Sequence, residues 1–336
     1  MIDDNFFLAL IGAGNLGSRY LQGLAQSSCN LSIVVIDPNP KALALAKQRL
    51  AEVKGNCQID SVEYALSLDT IKNDLDLAIV ATNADVRREV LEALLQRVKV
   101  KYLVLEKVVF QCAEDFRFVQ NMLRERNIKA WVNCPRRMTP FFRDVQKQIS
   151  LRYREHIPPI SLSVIGNNWG LASNSIHFFD LLAFFSRRTT VKIDVSGLDQ
   201  EIYQANRCGF IELGGSLVAE NKLGDQICLV DNMGERRDLE VNISFPDAKI
   251  ELQQLGSGVT TATWLDLQEQ SSTSYKFRMP FQSELTSMLV EQILIEGSSF
   301  LTPLNESESI HIPMLHAFTQ HISTVTGVDS AKCPIT

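Results

Sequence analysis

The chain has 336 residues, 45% hydrophobic and 21% charged. That is a globular composition which leaves no case for disorder and is too long for one ordinary core, so two domains are expected. The net charge of −6 argues against non-specific attraction to nucleic acid or an anionic membrane surface.

The acidic start MIDDN and the short apolar run behind it fit neither a signal peptide nor a membrane span. A cytoplasmic protein is expected. The cysteines at 29, 57, 112, 134, 208, 228 and 333 are scattered and form no Cys-x-x-Cys pair. They suit reduced thiols and offer no metal-site spacing.

Phe7 to Ile11 is apolar throughout, as a parallel strand covered on both faces must be. A Gly-x-Gly-x-x-Gly turn follows, Gly12-Ala13-Gly14-Asn15-Leu16-Gly17. In a βαβ unit Gly12 permits the tight turn, Gly14 lets the main chain approach a pyrophosphate, and Gly17 lets the helix lie close to the strand. The helix starting near Asn15 presents its N–H groups and positive dipole end to that pyrophosphate. Leu31 to Ile36 is the next strand, and Asp37 ends it, where a carboxylate accepts both ribose hydroxyls. A 2′-phosphate would meet that charge, and no arginine follows directly to offset it, so NAD is expected over NADP. The plainer alternative is a glycine turn that only joins a strand to a helix.

KALALAKQRLAEV has helical spacing after the break at Pro38 and Pro40. Ser61 to Asp69 is a short strand or helix edge. Leu75 to Ala81 is a strand whose carboxyl end carries Thr82 and Asn83, the end where ligands bind in such sheets. Tyr102 to Leu105 is the next strand and runs into Glu106-Lys107. A helix over Glu114 to Arg126 and a strand over Lys129 to Asn133 complete a doubly wound parallel α/β sheet. From about residue 160 period-two runs dominate: ISLSVIG, VKIDVSG, FIELGG, SLVAENK, QICLVD, LEVNIS, KIELQQL, TATWLDL and SYKFRM. They predict a large, open, mainly antiparallel sheet, with helices at Asn174 to Ser186, Phe281 to Glu296 and Met314 to Val325. The expected domains are 1–133, binding the dinucleotide, and 134–336, binding substrate and making oligomer contacts.

The glycine turn, Ala81-Thr82-Asn83, Glu106-Lys107, the stretch NCPRRMTPFF from Asn133 to Phe142, and His177 with Asp180 in HFFD together resemble the Gfo/Idh/MocA family of oxidoreductases, over nearly the whole chain. The resemblance implies hydride exchange between a nicotinamide and a carbinol carbon, most often of a sugar, cyclitol or nucleotide-linked sugar, by a homodimer or homotetramer. It implies cofactor contacts from Thr82, Asn83 and Glu106. Lys107 then corresponds to the lysine of the family's Glu-Lys-Pro signature, placed to hold the reacting oxygen and stabilise charge on it; here the proline is Val108. The bland reading is a surface lysine paired with Glu106.

His177 matches the family's proton-exchanging histidine, and imidazole suits that work near neutrality. Where the family has an aspartate one turn earlier, this chain has Ser173, next to Asn174; Asp180 could partly substitute. Otherwise His177 is a packed helix residue. Arg136 and Arg137 fall in the family's substrate-side segment and could grip a carboxylate or phosphate, implying an anionic substrate; alternatively one pairs with a structural acid and the other faces water. Cys134 beside them invites a nucleophile reading, against plain burial. Asn167, Asn168 and Trp169 could line a sugar pocket or form a strand end and a core indole. Two other functions stay open: a cofactor-binding scaffold or sensor that has lost catalysis, motivated by Ser173 and Val108, and a reductase of a non-sugar substrate.

Overall fold

The computed structural model describes residues 5–54, 58–154, 156–189, 191–235 and 238–336. Its internal contacts divide the chain into two compact units. The first holds Met1–Phe110, Glu114–Met138 and Pro280–Asn305; the second holds Gln111–Ala113, Thr139–Met279 and Glu306–Thr336. The expected single change of domain at residue 133 is therefore replaced by a later crossing, after Met138, and by a return of 280–305 to the first unit.

The first unit opens with β1 (Asn5–Ile11), α1 (Gly17–Leu24), β2 (Asn30–Ile36), α2 (Pro40–Ala51), β3 (Ile59–Ala65), β4 (Leu75–Val80), α3 (Arg87–Arg97), β5 (Val100–Leu105), α4 (Ala113–Glu125) and β6 (Lys129–Val132). Pro40, expected only as a breaker, is the first residue of α2, where a fixed φ and a missing N–H cost nothing. In the second unit follow α5 (Pro140–Tyr153), β7 (Ser161–Gly166), α6 (Leu171–Ser186), β8 (Lys192–Asp194), β9 (Leu198–Gln204), β10 (Ile211–Glu220), β11 (Gln226–Asp231), β12 (Leu239–Ser244), β13 (Ala248–Gln254), β14 (Val259–Asp266) and β15 (Ser271–Arg278). The chain ends with α7 (Gln282–Glu291), β16 (Thr302–Pro303) and α8 (Leu304–Thr326).

The first sheet has the order β16-β6-β5-β4-β1-β2-β3. All its pairs are parallel except β16 with β6. The βαβ alternation dictates that, because only a helical crossover returns the chain to the same end of a sheet. Leu8, Leu10, Leu77, Ile79 and Val104 are buried at its centre together with Leu285, Leu289 and Ile293 of the returning segment. Gly23 makes the approach of α7 to α1 possible: a Cβ there would stand 2.5 Å from the Ser283 carbonyl oxygen.

The second sheet runs β15-β14-β13-β12-β7-β11-β10-β8, with β9 also paired to β10. It is antiparallel except between β7 and β11. Alternation is plain in β7, where Leu162 and Val164 are buried and Ile165 is exposed. FIELGG and SLVAENK, expected as two strands, are one strand bulged between Leu213 and Gly215. Gly215 has φ +92° there, and a Cβ would stand 2.5 Å from the Gly197 carbonyl oxygen. The helix expected from Met314 begins ten residues earlier, and Pro313 lies inside it. The helix expected to run to Glu296 ends as a π-helical turn at Gln292–Glu296.

Candidate active site

In the first unit the predicted dinucleotide residues gather at the carboxyl ends of β1, β2, β4 and β5. Gly12 has φ +92°, and a Cβ on it would come within 2.8 Å of the Ala81 carbonyl. Gly17 is still more constrained: its Cβ would stand 1.8 Å from the Gly12 carbonyl oxygen, so α1 packs directly on the turn. Gly14 differs, since a Cβ there meets nothing within 4 Å. Bare main chain at Gly14 thus faces open space beside the start of α1, as an anion-binding turn requires.

Leu16 is the N-cap of α1 and its side chain makes no capping bond. Asn15 is held from α2, because Arg49 donates to its carbonyl oxygen at 2.7 Å and to its side-chain Oδ1 at 3.3 Å, and also to Ser18 Oγ at 2.6 Å. Asp37 is fixed by main chain on both sides: Oδ2 accepts from the Ala13 N–H at 2.7 Å and Oδ1 from the Asn39 N–H at 2.8 Å. Each oxygen keeps a lone pair for a further donor.

Thr82 and Asn83 form the turn after β4, Asn83 exposed. Glu106 and Lys107 leave β5. The Glu106 carboxylate is buried and accepts from the Tyr20 hydroxyl at 2.5 Å and from Asn133 Nδ2 at 2.6 Å. Burial, then the Glu106 charge, pushes the Tyr20 phenol well above its ordinary value, so it stays a donor. Lys107 is half-buried, and the Lys107–Val108 peptide bond is cis. The main chain around it is gripped by Arg87, which sequence reasoning missed. Its buried guanidinium donates to the carbonyls of Glu106 at 2.7 Å, Val108 at 2.5 Å and Val109 at 2.6 Å, and to that of Thr82. A signal did exist, for a cation in the first turn of a helix opposes the helix dipole. Arg136 and Arg137 lie in the short 3₁₀ turn Pro135–Met138, Arg137 buried and Arg136 half-buried; Cys134 is fully buried.

The remaining candidates belong to the second unit. Helix α6 is buried on almost every side, and its half-open positions before the last turn are Ser173, Asn174 and His177. Those three share one turn, while Asp180 points into the core. Two carboxylates from the sheet hold the start of α6. Asp231, at the end of β11, accepts from the N–H groups of Trp169, Gly170 and Leu171 through Oδ2, at 2.9 to 3.2 Å. Burial raises its carboxyl and those N–H groups oppose the rise. Glu212 of β10 accepts from Ala172 N–H at 2.9 Å and Ser173 N–H at 3.3 Å. Trp169 gives its indole N–H to the Val230 carbonyl at 2.9 Å and meets Phe178 edge-on. Asn174 donates to the Trp169 carbonyl at 2.8 Å.

Residues 6–134 match the model of an oxidoreductase family with an NAD-binding Rossmann fold, GFO_IDH_MocA. Over this stretch the chain is similar to the NAD-binding domain of that family. No curated protein sequence matches it. Solved structures resemble it over nearly its whole length. KijD10, a 3-ketoreductase from Actinomadura kijaniata in complex with TDP-benzene and NADP, is 12% identical with a TM-score of 0.69, over 94% of this chain and 96% of that one. The UDP-N-acetylglucosamine 3-dehydrogenase GnnA from Acidithiobacillus ferrooxidans is 14% identical, TM-score 0.67, over 94% and 97%. Levoglucosan dehydrogenase in complex with NADH is 12% identical, TM-score 0.69, over 96% and 98%. These likenesses are of fold alone, a parallel Rossmann sheet followed by a mainly antiparallel one. Nicotinamide dinucleotides of both kinds, NADP and NADH, are found in such structures. Among the described residues no helix is long and apolar enough to cross a membrane.

Proposed function

We propose that this protein is an NAD-dependent dehydrogenase or reductase that moves a hydride between the nicotinamide and a hydroxyl or keto carbon of a sugar, cyclitol or nucleotide-sugar-like substrate. The observation that carries this reading is the glycine turn with Asp37 beside it. Main chain is open at Gly14, and the Asp37 carboxylate is fixed by two N–H groups with acceptor capacity to spare. A 2′-phosphate brought to Asp37 meets a like charge, which supports NAD over NADP. Bound there, the nicotinamide supplies or accepts the hydride.

The side chains supply the rest. Lys107 holds the reacting oxygen and the charge that develops on it. His177 exchanges a proton with the substrate hydroxyl. Glu212 brings a carboxylate to the first turn of α6, where it accepts the Ser173 N–H. Arg136, Arg137, Trp169, Ser173 and Asn174 are the proposed substrate-side residues, the arginines suiting an anionic group; Asp180, expected beside them, is buried in the core instead. The names of the similar structures, a UDP-N-acetylglucosamine 3-dehydrogenase and a levoglucosan dehydrogenase, support a sugar-like substrate class. A homodimer or homotetramer in the cytoplasm fits the same reading; Ile165 and Val218 are exposed on one face of the second sheet, an apolar surface that a second subunit could cover.

The test is NADH oxidation against a panel of keto sugars, free and nucleotide-linked. Turnover that Lys107→Ala abolishes while NADH still binds is expected. Binding of NADH with no turnover anywhere in the panel would transfer the protein to the scaffold or sensor reading. Absence of binding by either NAD form would end both.

A further inference from the structure

Arg87 heads the large side chains that are fully buried in this protein, and the proposed chemistry gives it nothing to do. A buried guanidinium carries a large desolvation cost, and in the first turn of α3 it also sits at the wrong end of the helix dipole. Two strand ends that needed only to be packed together could be joined by apolar contact without either cost. What the cation does instead is hold main chain: Nη1 takes the carbonyls of Glu106, Val108 and Val109, and Nη2 takes that of Thr82.

The placement of those four carbonyls is informative. They lie past the last ladder bonds of β4 and β5, where strand-end peptides have no neighbouring strand to bind. Such segments open locally more easily than the ladders behind them. Three of the four come from residues 106 to 109, so the carbonyls immediately before and after Lys107 are both held. The fourth belongs to Thr82, in the turn proposed to hold the cofactor. The guanidinium spans the two segments with its two terminal nitrogens, Nη1 sharing its two N–H groups among the three carbonyls of 106 to 109 and Nη2 reaching Thr82, whereas an ammonium has a single nitrogen to place. Glu106 is pinned a second time through its side chain, by Tyr20 and Asn133. The Arg87 charge also counters the rise in the Tyr20 phenol.

We infer that Arg87 is a positioning residue for the hydride-transfer step: it locks the main chain on both sides of Lys107 to the Thr82–Asn83 turn and thereby fixes where the Lys107 ammonium stands. This inference rests on the role proposed for Lys107. Its consequence is quantitative, since misplacing a reacting group by about 1 Å costs about 100-fold in rate.

Two variants test it on the NADH complex of the full chain. Arg87→Met removes the fork, and Arg87→Lys keeps the charge and folds where the methionine variant does not. With lysines carrying ¹³C-dimethyl labels and the Lys107 signal assigned from its loss in Lys107→Arg, the Lys107 resonance is expected to shift and broaden in both variants. The Lys101 and Lys129 signals should stay in place, and the shift should be smaller in Arg87→Lys. On a turned-over substrate, kcat should fall about 100-fold in Arg87→Met with NADH affinity nearly unchanged. An unmoved Lys107 resonance in the variant that folds, or an undiminished kcat there, overturns the inference. Full turnover in Lys107→Ala, with the resonance still displaced by Arg87→Met, removes lysine from the chemistry and leaves the clamp standing, so the two failures are told apart.

Discussion

Alanine at Gly14 and alanine at Gly17 should have opposite signatures, because the fold needs one glycine bare and the cofactor needs the other. A Cβ at Gly17 would stand 1.8 Å from the Gly12 carbonyl oxygen and 2.8 Å from its carbon. Non-bonded heavy atoms settle at about 3.5 Å, so turn and helix must part by well over an ångström. Both sides of that contact are main chain and cannot rotate away. Overpacking of this kind costs about 1–3 kcal/mol or more, and the parted helix carries its N–H groups away from the turn. Gly17→Ala should therefore lose both thermal stability and NADH affinity.

At Gly14 the Cβ meets nothing within 4 Å and the backbone is not left-handed. Stability of the free protein should hold, or rise by about 0.4–1 kcal/mol through the smaller entropy of the unfolded chain. The methyl group would nevertheless fill the space through which a phosphate reaches main-chain donors. Losing one charge-assisted hydrogen bond costs about 1.5–3 kcal/mol, which weakens NADH about 10- to 100-fold. Thermal unfolding of the free protein and a fluorescence titration with NADH separate the two effects. Wild-type NADH affinity in Gly14→Ala would refute the placement of the pyrophosphate on this turn. An unchanged melting temperature in Gly17→Ala would refute the packing argument.

Asp37→Ser combined with Pro38→Arg should move preference towards NADPH, since it removes the repelling carboxylate and adds a cation while serine keeps an acceptor for the Ala13 N–H; an unchanged ratio of NADH to NADPH dissociation constants discredits the ribose assignment. Asp231→Ala removes the acceptor shared by three N–H groups at the start of α6. It should cost about 1–3 kcal/mol of unfolding free energy by urea titration, and an unaltered midpoint would mean another acceptor takes over. Asp266 is held down to about 2, first by its hydrogen bonds from Arg152 and then by main-chain N–H groups. Because the folded value lies below the unfolded value of about 3.9, its contribution is present above that value and lost as pH falls from there towards 2. Melting curves of Asp266→Asn should accordingly be flatter in pH over that window than those of the natural chain, the effect being modest at a half-buried pair that solvent still screens; parallel curves would rule the pair out as a source of acid sensitivity.

How much of this is legible in the sequence follows from how far apart the cooperating residues lie. The glycine turn, Asp37 and Glu106-Lys107 sit in unbroken local patterns, and each falls at a strand end as its pattern requires. Helix α5 has a local signal too, with Phe142, Val145 and Ile149 buried on one face, but the double arginine and the proline before it draw attention to chemistry and away from periodicity. Gly214-Gly215 punctuates the sequence as a turn does, and only pairing with β9 and β11 makes it a bulge inside one strand. Pro313 likewise marks a helix start on propensity alone, yet α8 passes through it. The residues that hold the candidate groups are the least visible. Asp231 stands 60 positions from the N–H of Leu171, and Glu212 stands 40 from that of Ala172. Each reads in sequence as an ordinary strand or turn acid. Strand register brings them to α6, and register depends on the whole hydrophobic pattern of the sheet. Arg87 sits at the boundary of the two cases: its helix is local and predictable, but its carbonyl partners at 106 to 109 depend on β5 lying beside β4. A substitution there should therefore look conservative in sequence, lysine for arginine, and still dislodge a strand end that the motif beside it needs held.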